Sequence, residues 1–223
     1  MNLDPSRLLI YDTLQEVEQL RLILVRHGET VWNSERRVQG GGRDIELSEY
    51  GRKQIAGLAR VFKDEQIDLI LASPLSRAQE TARSIAQHHD GVPIFTDERL
   101  KEVDVGEFDG MSTVEMSRTF SELLLDWWKG GRERLPGGES FEELQDRVWS
   151  VVGPYVEEPT YENVVVVSHY FVTLSIVFKA IDLPLDMLVR FRMDPASITA
   201  LDFGSFGPRL ARFNDTSYLA LNE

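Results

Sequence analysis

At 223 residues, with 42% hydrophobic residues and no cysteine, the chain can build one core of ordinary size but no disulfide, thiolate metal site or cysteine nucleophile. Its 24 lysines and arginines face 37 aspartates and glutamates, a net charge of -13 that repels nucleic-acid backbones and anionic membrane surfaces and leaves small molecules or proteins as the expected partners. The four histidines, His27, His88, His89 and His169, have no spacing that sets two imidazoles on one helix face, so no metal site is expected.

In chain order, Asp4-Pro5 opens a helix as cap and first-turn proline, and Ile10, Leu14 and Val17 give it one apolar stripe. Residues 1–20 are read as an N-terminal helical extension packed on the body. Asp4, Asp12, Glu16 and Glu18 and the absence of a long apolar run exclude a signal peptide or membrane span there, so a cytoplasmic protein is expected. Leu22–Val25 is a short buried strand. Ile55, Leu58, Ala59 and Phe62 then recur at helix spacing, Ile67–Ala72 forms a second strand, and Ala78, Ala82, Ile85 and Ala86 a second helix. That alternation predicts βαβ units around a mostly parallel sheet. Residues 111–135, with Leu123, Leu124, Leu125, Trp127, Trp128 and then Gly130-Gly131, read as an inserted helical lid with a flexible end. Val164–Val167 is the clearest buried strand, and the almost wholly apolar Val172–Ile181 helix follows it, so this pair belongs at the centre of the sheet. No linker divides the chain, and residues 1–223 read as one domain.

Polar clusters follow three of these strands: Arg26-His27-Gly28, Ser73-Pro74-Leu75-Ser76-Arg77 and Ser168-His169. In open α/β sheets ligands bind beyond the carboxyl ends of the strands, so the clusters converge. Two arginines and two histidines there make an anion pocket suited to phosphate. Each residue alone has an ordinary use: Arg26 as a helix cap, Arg77 as a surface charge, His169 as a core imidazole. Their coincidence at three strand ends favours the site. His88 and His89 are adjacent and cannot share a face, and read as a solvated helix end.

The sequence resembles the histidine phosphatase superfamily, with its phosphoglycerate mutase-like fold. The resemblance runs through Arg26-His27-Gly28-Glu29-Thr30, Asn33, Gln39-Gly40, the helix start at Leu47–Gly51, Ser73–Ala82, Leu100–Gly110, Leu135–Ser140 and Ser168–Thr173. It implies a three-layer α/β/α fold and a phosphomonoester phosphatase acting on a small phosphorylated metabolite, with no cofactor and no metal. His27 would form a phosphohistidine, Arg26, Arg77 and His169 would hold the phosphoryl oxygens, and Glu102 would be the acid, its pKa raised by the bound phosphate. Asp104 and Glu107 are the neighbouring candidates for that acid, and a structural Glu102–arginine pair is the plain alternative. Asn33, Gln39, Gly40 and the Tyr170 backbone N–H would complete substrate binding.

Tyr170 stands where many relatives have glycine and brings a large ring to the pocket mouth. The stretch from Gln39 to Ser48 is one residue longer than usual, with Glu46 where proline is frequent, which predicts a more mobile loop beside the phosphate. Lys129, Arg132 and Arg134 offer cations to a substrate carboxylate. The wording at Leu135–Ser140 and the compact preceding segment resemble phosphatases more than mutases. A cofactor-dependent phosphoglycerate mutase is the alternative, with a silent phospho-ligand binder behind it; the substrate, and whether the chain forms a homodimer, stay open.

Overall fold

The computed structural model describes residues 20–130 and 133–222; the expected N-terminal helix, in residues 1–19, lies outside them. Strands β1 (Leu20–Arg26), β2 (Leu69–Ala72), β3 (Ile94–Thr96), β4 (Asn163–Ser168), β5 (Ile198–Gly204) and β6 (Gly207–Asp215) form one sheet in the order β3-β2-β4-β1-β5-β6. β3, β2, β4 and β1 run parallel, whereas β5 and β6 are antiparallel additions on the far edge. The valine run of β4 and the leucine-rich β1 are neighbours at the centre, as their continuous hydrophobicity requires.

The strands alternate between two buried faces. Leu22, Leu24, Leu71, Val164 and Val166 point to one cluster, and Ile23, Val25, Ile70, Val165 and Val167 to the other. After the short helix α1 (Val31–Ser34), helices α2 (Glu49–Phe62) and α3 (Ser76–Ala86) supply Ile55, Leu58, Phe62, Ala78, Ala82 and Ile85 to the second face. Helices α6 (Phe141–Glu157) and α7 (Tyr170–Ala180) cover the first with Leu144, Val148, Leu174 and Phe178. The result is the expected three-layer α/β/α architecture. Each such fully buried Leu or Val contributes about 1.5–3 kcal/mol, so Val166→Ala at the sheet centre is a direct way to weaken it.

Local signals set the helix starts. Ser48 caps α2 by accepting the Gly51 N–H at 2.9 Å, and Ser140 and Glu143 form a capping box at α6. Between Gly110 and Leu135 lie α4 (Thr113–Thr119) and α5 (Ser121–Gly130). Met116, Leu124 and Trp127 join the core there, with Trp127 stacked on Phe141 at 4.2 Å between ring centroids. β3 and the β5–β6 hairpin have no counterpart in the sequence-based elements. β3 is three residues long and β6 is an edge strand with most side chains exposed or half-exposed, so neither carries a clear apolar alternation.

Candidate active site

β1 and β4 end in register, Arg26 opposite Ser168, and the His27 N–H donates to the Ser168 carbonyl at 3.0 Å. The chain then turns past α2 at Gly28, where a Cβ would lie 2.7 Å from the Gly51 carbonyl oxygen and 2.9 Å from the Ile55 side chain. His27 Nδ1 donates to the Gly28 carbonyl at 2.7 Å, which puts the ring proton on Nδ1 and leaves the Nε2 lone pair available. Burial first, and the Arg77 and Arg26 charges after it, push His27 well below the usual imidazole range, so the ring is neutral at pH 7. The His169 ring stands edge-on to it at 5.1 Å.

The cations are fixed by backbone carbonyls. Arg26 Nη1 donates to the Met193 carbonyl at 2.5 Å, with its guanidinium 5.3 Å from the Tyr170 ring centroid. Arg77, fully buried near the start of α3, donates to the carbonyls of Gly40 at 3.1 Å and Arg43 at 3.2 Å. Burial lowers both guanidinium pKa values, Arg77 to about 10, and both stay charged at neutral pH. His169 Nε2 lies 2.8 Å from Ser73 Oγ. With that hydroxyl donating, the proton of the neutral ring sits on Nδ1. Arg26 Nε, Gln39 Nε2, Arg77 Nε and His169 Nδ1 are all buried nitrogens without a partner among the described residues, a costly arrangement unless an acceptor arrives.

Short side chains orient Gln39. Thr30 Oγ1 and Asn33 Nδ2 both donate to Gln39 Oε1, at 2.7 and 3.2 Å, which assigns the amide nitrogen to the unpartnered side. Gly40 departs from its expected role. Its N–H donates to Asp109 Oδ1 at 3.0 Å and its carbonyl receives Arg77, so it holds the site's framework through its backbone and does not offer a donor to substrate. The longer loop makes hydrogen bonds from within its span. Gly41 N–H donates to the Val103 carbonyl at 3.1 Å, and Asp44 accepts from both the N–H and the hydroxyl of Ser76 at 2.8 and 2.7 Å. These bonds tie the longer loop down at both ends.

Glu102 is 5% exposed and accepts from the N–H groups of Val103 at 2.9 Å and Phe171 at 3.2 Å. Burial raises its pKa, with those two amides and then Arg26 and Arg77 pulling the other way. Burial within the fold is thus a cause beside the expected one, a bound phosphate. Among the described residues no close salt bridge joins Glu102 to an arginine, although the Arg26 and Arg77 charges act on it. Asp104 and Glu107 are exposed and do not line the cavity, and Asp104 accepts from the Gly106 N–H instead.

Around His27 opens a cavity of about 500 Å³ that also touches Arg26, Asn33, Gln39, Glu102 and Tyr170. The Tyr170 hydroxyl donates to the Phe191 carbonyl at 2.8 Å, which holds its ring at the wall. His88 and His89 follow the end of α3 and take no part. Arg134 pairs with Glu143 and does not reach the cavity, while the side chains of Lys129 and Arg132 lie outside the described residues. Among the described residues no three His, Asp or Glu side chains cluster as a metal site, and no helix is long and apolar enough to cross a membrane.

A family model for the histidine phosphatase superfamily (branch 1) matches residues 22–216. The chain belongs to that family. It is 35% identical over 187 residues to a probable phosphoglycerate mutase of Salmonella choleraesuis, covering 82% of this chain and 85% of that one. The structure of a mycobacterial glucosyl-3-phosphoglycerate phosphatase in complex with VO3 superposes with a TM-score of 0.81 at 29% identity, over 88% of this chain and 100% of that one. The alpha-ribazole phosphatase of Shigella flexneri gives 0.76 at 27% identity, over 88% and 96%. The mutase name on a relative at 35% identity runs against the expectation that mutases resemble this chain less.

Within this histidine phosphatase, sequence reasoning missed the groups that act through the backbone or from afar. Met193 holds Arg26 by its carbonyl, and Ser73 and Thr30 orient His169 and Gln39. Arg147 on α6 donates to the carbonyls of Arg99, Lys101 and Glu102 at 2.6, 2.8 and 3.1 Å, and also binds Glu139, so one guanidinium clamps the turn that carries Glu102. Carbonyl partners leave no trace in residue identity. Ser73 was signalled by its place beside the β2 end and Thr30 by the Arg26–Thr30 motif, without the roles that hydrogen-bond geometry gives them.

Proposed function

We propose that this histidine phosphatase hydrolyses phosphomonoesters of small metabolites through a phosphohistidine on His27, without a metal. What supports this most is a neutral histidine with its Nε2 lone pair available, surrounded by four unpartnered buried donors and one buried carboxyl of raised pKa. In the first step His27 Nε2 attacks phosphorus, the bond from phosphorus to the ester oxygen breaks, and Glu102 gives that oxygen its proton. The Nε atoms of Arg26 and Arg77, His169 Nδ1 and Gln39 Nε2 bind the phosphoryl oxygens and spread their charge in the transition state. In the second step water attacks the phosphohistidine, Glu102 takes its proton, and the Nε2–phosphorus bond breaks to release inorganic phosphate. Glu102 returns protonated, and His27 returns neutral.

The mutase-named relative supports a second reading, transfer to a second hydroxyl group in place of water. Rapid quench with a ³²P-labelled monoester tests both. Acid-labile, base-stable label on His27 and phosphate release unchanged by EDTA and independent of a bisphosphoglycerate are expected. Interconversion of the monophosphoglycerates faster than phosphate release would establish the mutase, and absence of label would remove the covalent mechanism.

A further inference from the structure

The polar groups of the cavity are concentrated around His27, with Arg37 and Thr113 the polar residues of the remaining wall. Away from His27 its apolar wall is made by Val38, Val105, Met116, Trp127, Phe171 and Leu188, contributed by the loops after β1 and β3, by α4, α5 and α7, and by the turn at Leu185–Arg190. Two cations touch the cavity among the described residues, and both are engaged. Arg26 belongs to the phosphate end, and Arg37 donates to Glu35 at 2.7 Å and to the Gly110 carbonyl at 2.9 Å. Among the described residues a carboxylate carried by a triose would therefore meet no unengaged cation, which disfavours it. A volume of about 500 Å³ also exceeds what a triose fills, and lies in the range that encloses a ligand of several rings. Trp127 is held rigid by Phe141 at 4.2 Å and by its indole N–H, which donates to the Glu139 carbonyl at 3.4 Å, so this wall is preformed.

We infer that the preferred substrates are phosphomonoesters of neutral, largely apolar alcohols of ring size or larger, whose carbon body packs against Met116, Trp127, Phe171 and Leu188. This assignment rests on the phosphatase reading for its phosphate end and goes beyond it in naming the alcohol. Calorimetry on the intact protein with two stable phosphonates tests the cavity without turnover. Naphthylmethylphosphonate should bind at least about thirtyfold tighter than 3-phosphonopropionate, because burying an aromatic body outweighs an unpaired carboxylate. In turnover, naphthylmethyl phosphate should exceed both glycerol 3-phosphate and 3-phosphoglycerate in kcat/KM by a similar factor, and Met116→Gln should shrink that ratio about tenfold. Equal affinities, a preference for the carboxylate compound, or a ratio untouched by Met116→Gln would overturn the assignment. Acetyl phosphate, which needs no alcohol pocket, reports separately on the phosphohistidine: a retained naphthyl preference with no labelled His27 would support the cavity assignment while removing the covalent mechanism.

Discussion

The two ends of the cavity are built by different means. At the inner end, Arg26 and His27 line the cavity with the buried Arg77 and His169 beside them; all issue from strand ends or the first turn of a helix and are fixed by hydrogen bonds to the carbonyls of Gly28, Met193, Gly40 and Arg43 and to the Ser73 hydroxyl. At the outer end, Met116, Trp127 and Leu188 come from two short helices and a 3-10 turn and are placed by packing. Hydrogen bonds to backbone carbonyls fix direction to a fraction of an ångström, whereas apolar packing fixes mainly volume. On the proposed reading, chemistry belongs to the first end and choice of alcohol to the second. Substitutions at the inner end should lower kcat across substrates, and those at the outer end should change their ranking.

The largest expected effect is at His27. His27→Ala should lower kcat by at least about a thousandfold on every ester, because the other imidazole there, His169, has its Nε2 engaged by the Ser73 hydroxyl; residual turnover within tenfold of the parent would break the division at its root. Glu102→Gln comes next. Hydrolysis of an alkyl phosphate should fall by about a hundredfold to a thousandfold, while para-nitrophenyl phosphate, whose leaving group needs no proton, should give a rapid burst of phenolate and then slow turnover. Equal losses on both esters without a burst would make Glu102 a structural carboxyl.

Arg147 sharpens the comparison because it stands outside the cavity and acts through the turn that holds Glu102. Arg147→Met should lower alkyl phosphate turnover about tenfold and leave the aryl burst nearly intact, with Arg147→Lys recovering part of the loss. It should also destabilise the fold by about 2 kcal/mol, since three carbonyls and Glu139 lose their donor. Equal slowing of both esters would show that the clamp serves folding alone.

The smallest effect is on stability against pH. His27 and His169 are both lowered well below 6.5, burial being the first cause and the Arg77 charge the next. Below 6.5 the unfolded chain binds protons that the folded one does not, so stability falls as pH drops through that value toward the folded pKa, by up to about 1.4 kcal/mol per group per pH unit. His169→Asn should flatten the loss of Tm between pH 6.5 and 5.5. A wild-type Tm constant over that window would mean that the inner end is more hydrated than its burial indicates.

Much of this molecule was legible in one dimension. A run such as Val164–Val167 is hydrophobic on both sides of a period of two, so it names a central strand whatever surrounds it, and Arg26-His27, Arg77 and His169 could be placed because each lies at or just past such a run. The α2 start at Leu47–Gly51 was legible for the same reason, since Ser48 caps a residue three positions on, whereas α6 was not read from its sequence. What tertiary structure alone decided involves partners distant in sequence. The Arg26 contact with the Met193 carbonyl spans 167 residues and the His169 contact with Ser73 spans 96, and a carbonyl is the same in every residue. The β6 edge strand, the anchored loop at Gly40 and the burial that raises the pKa of Glu102 also depend on what packs against them. Local pattern determines which segments must be buried and which polar residues sit at their ends; only the folded chain determines which backbone groups those residues meet, and hence their charge state and direction.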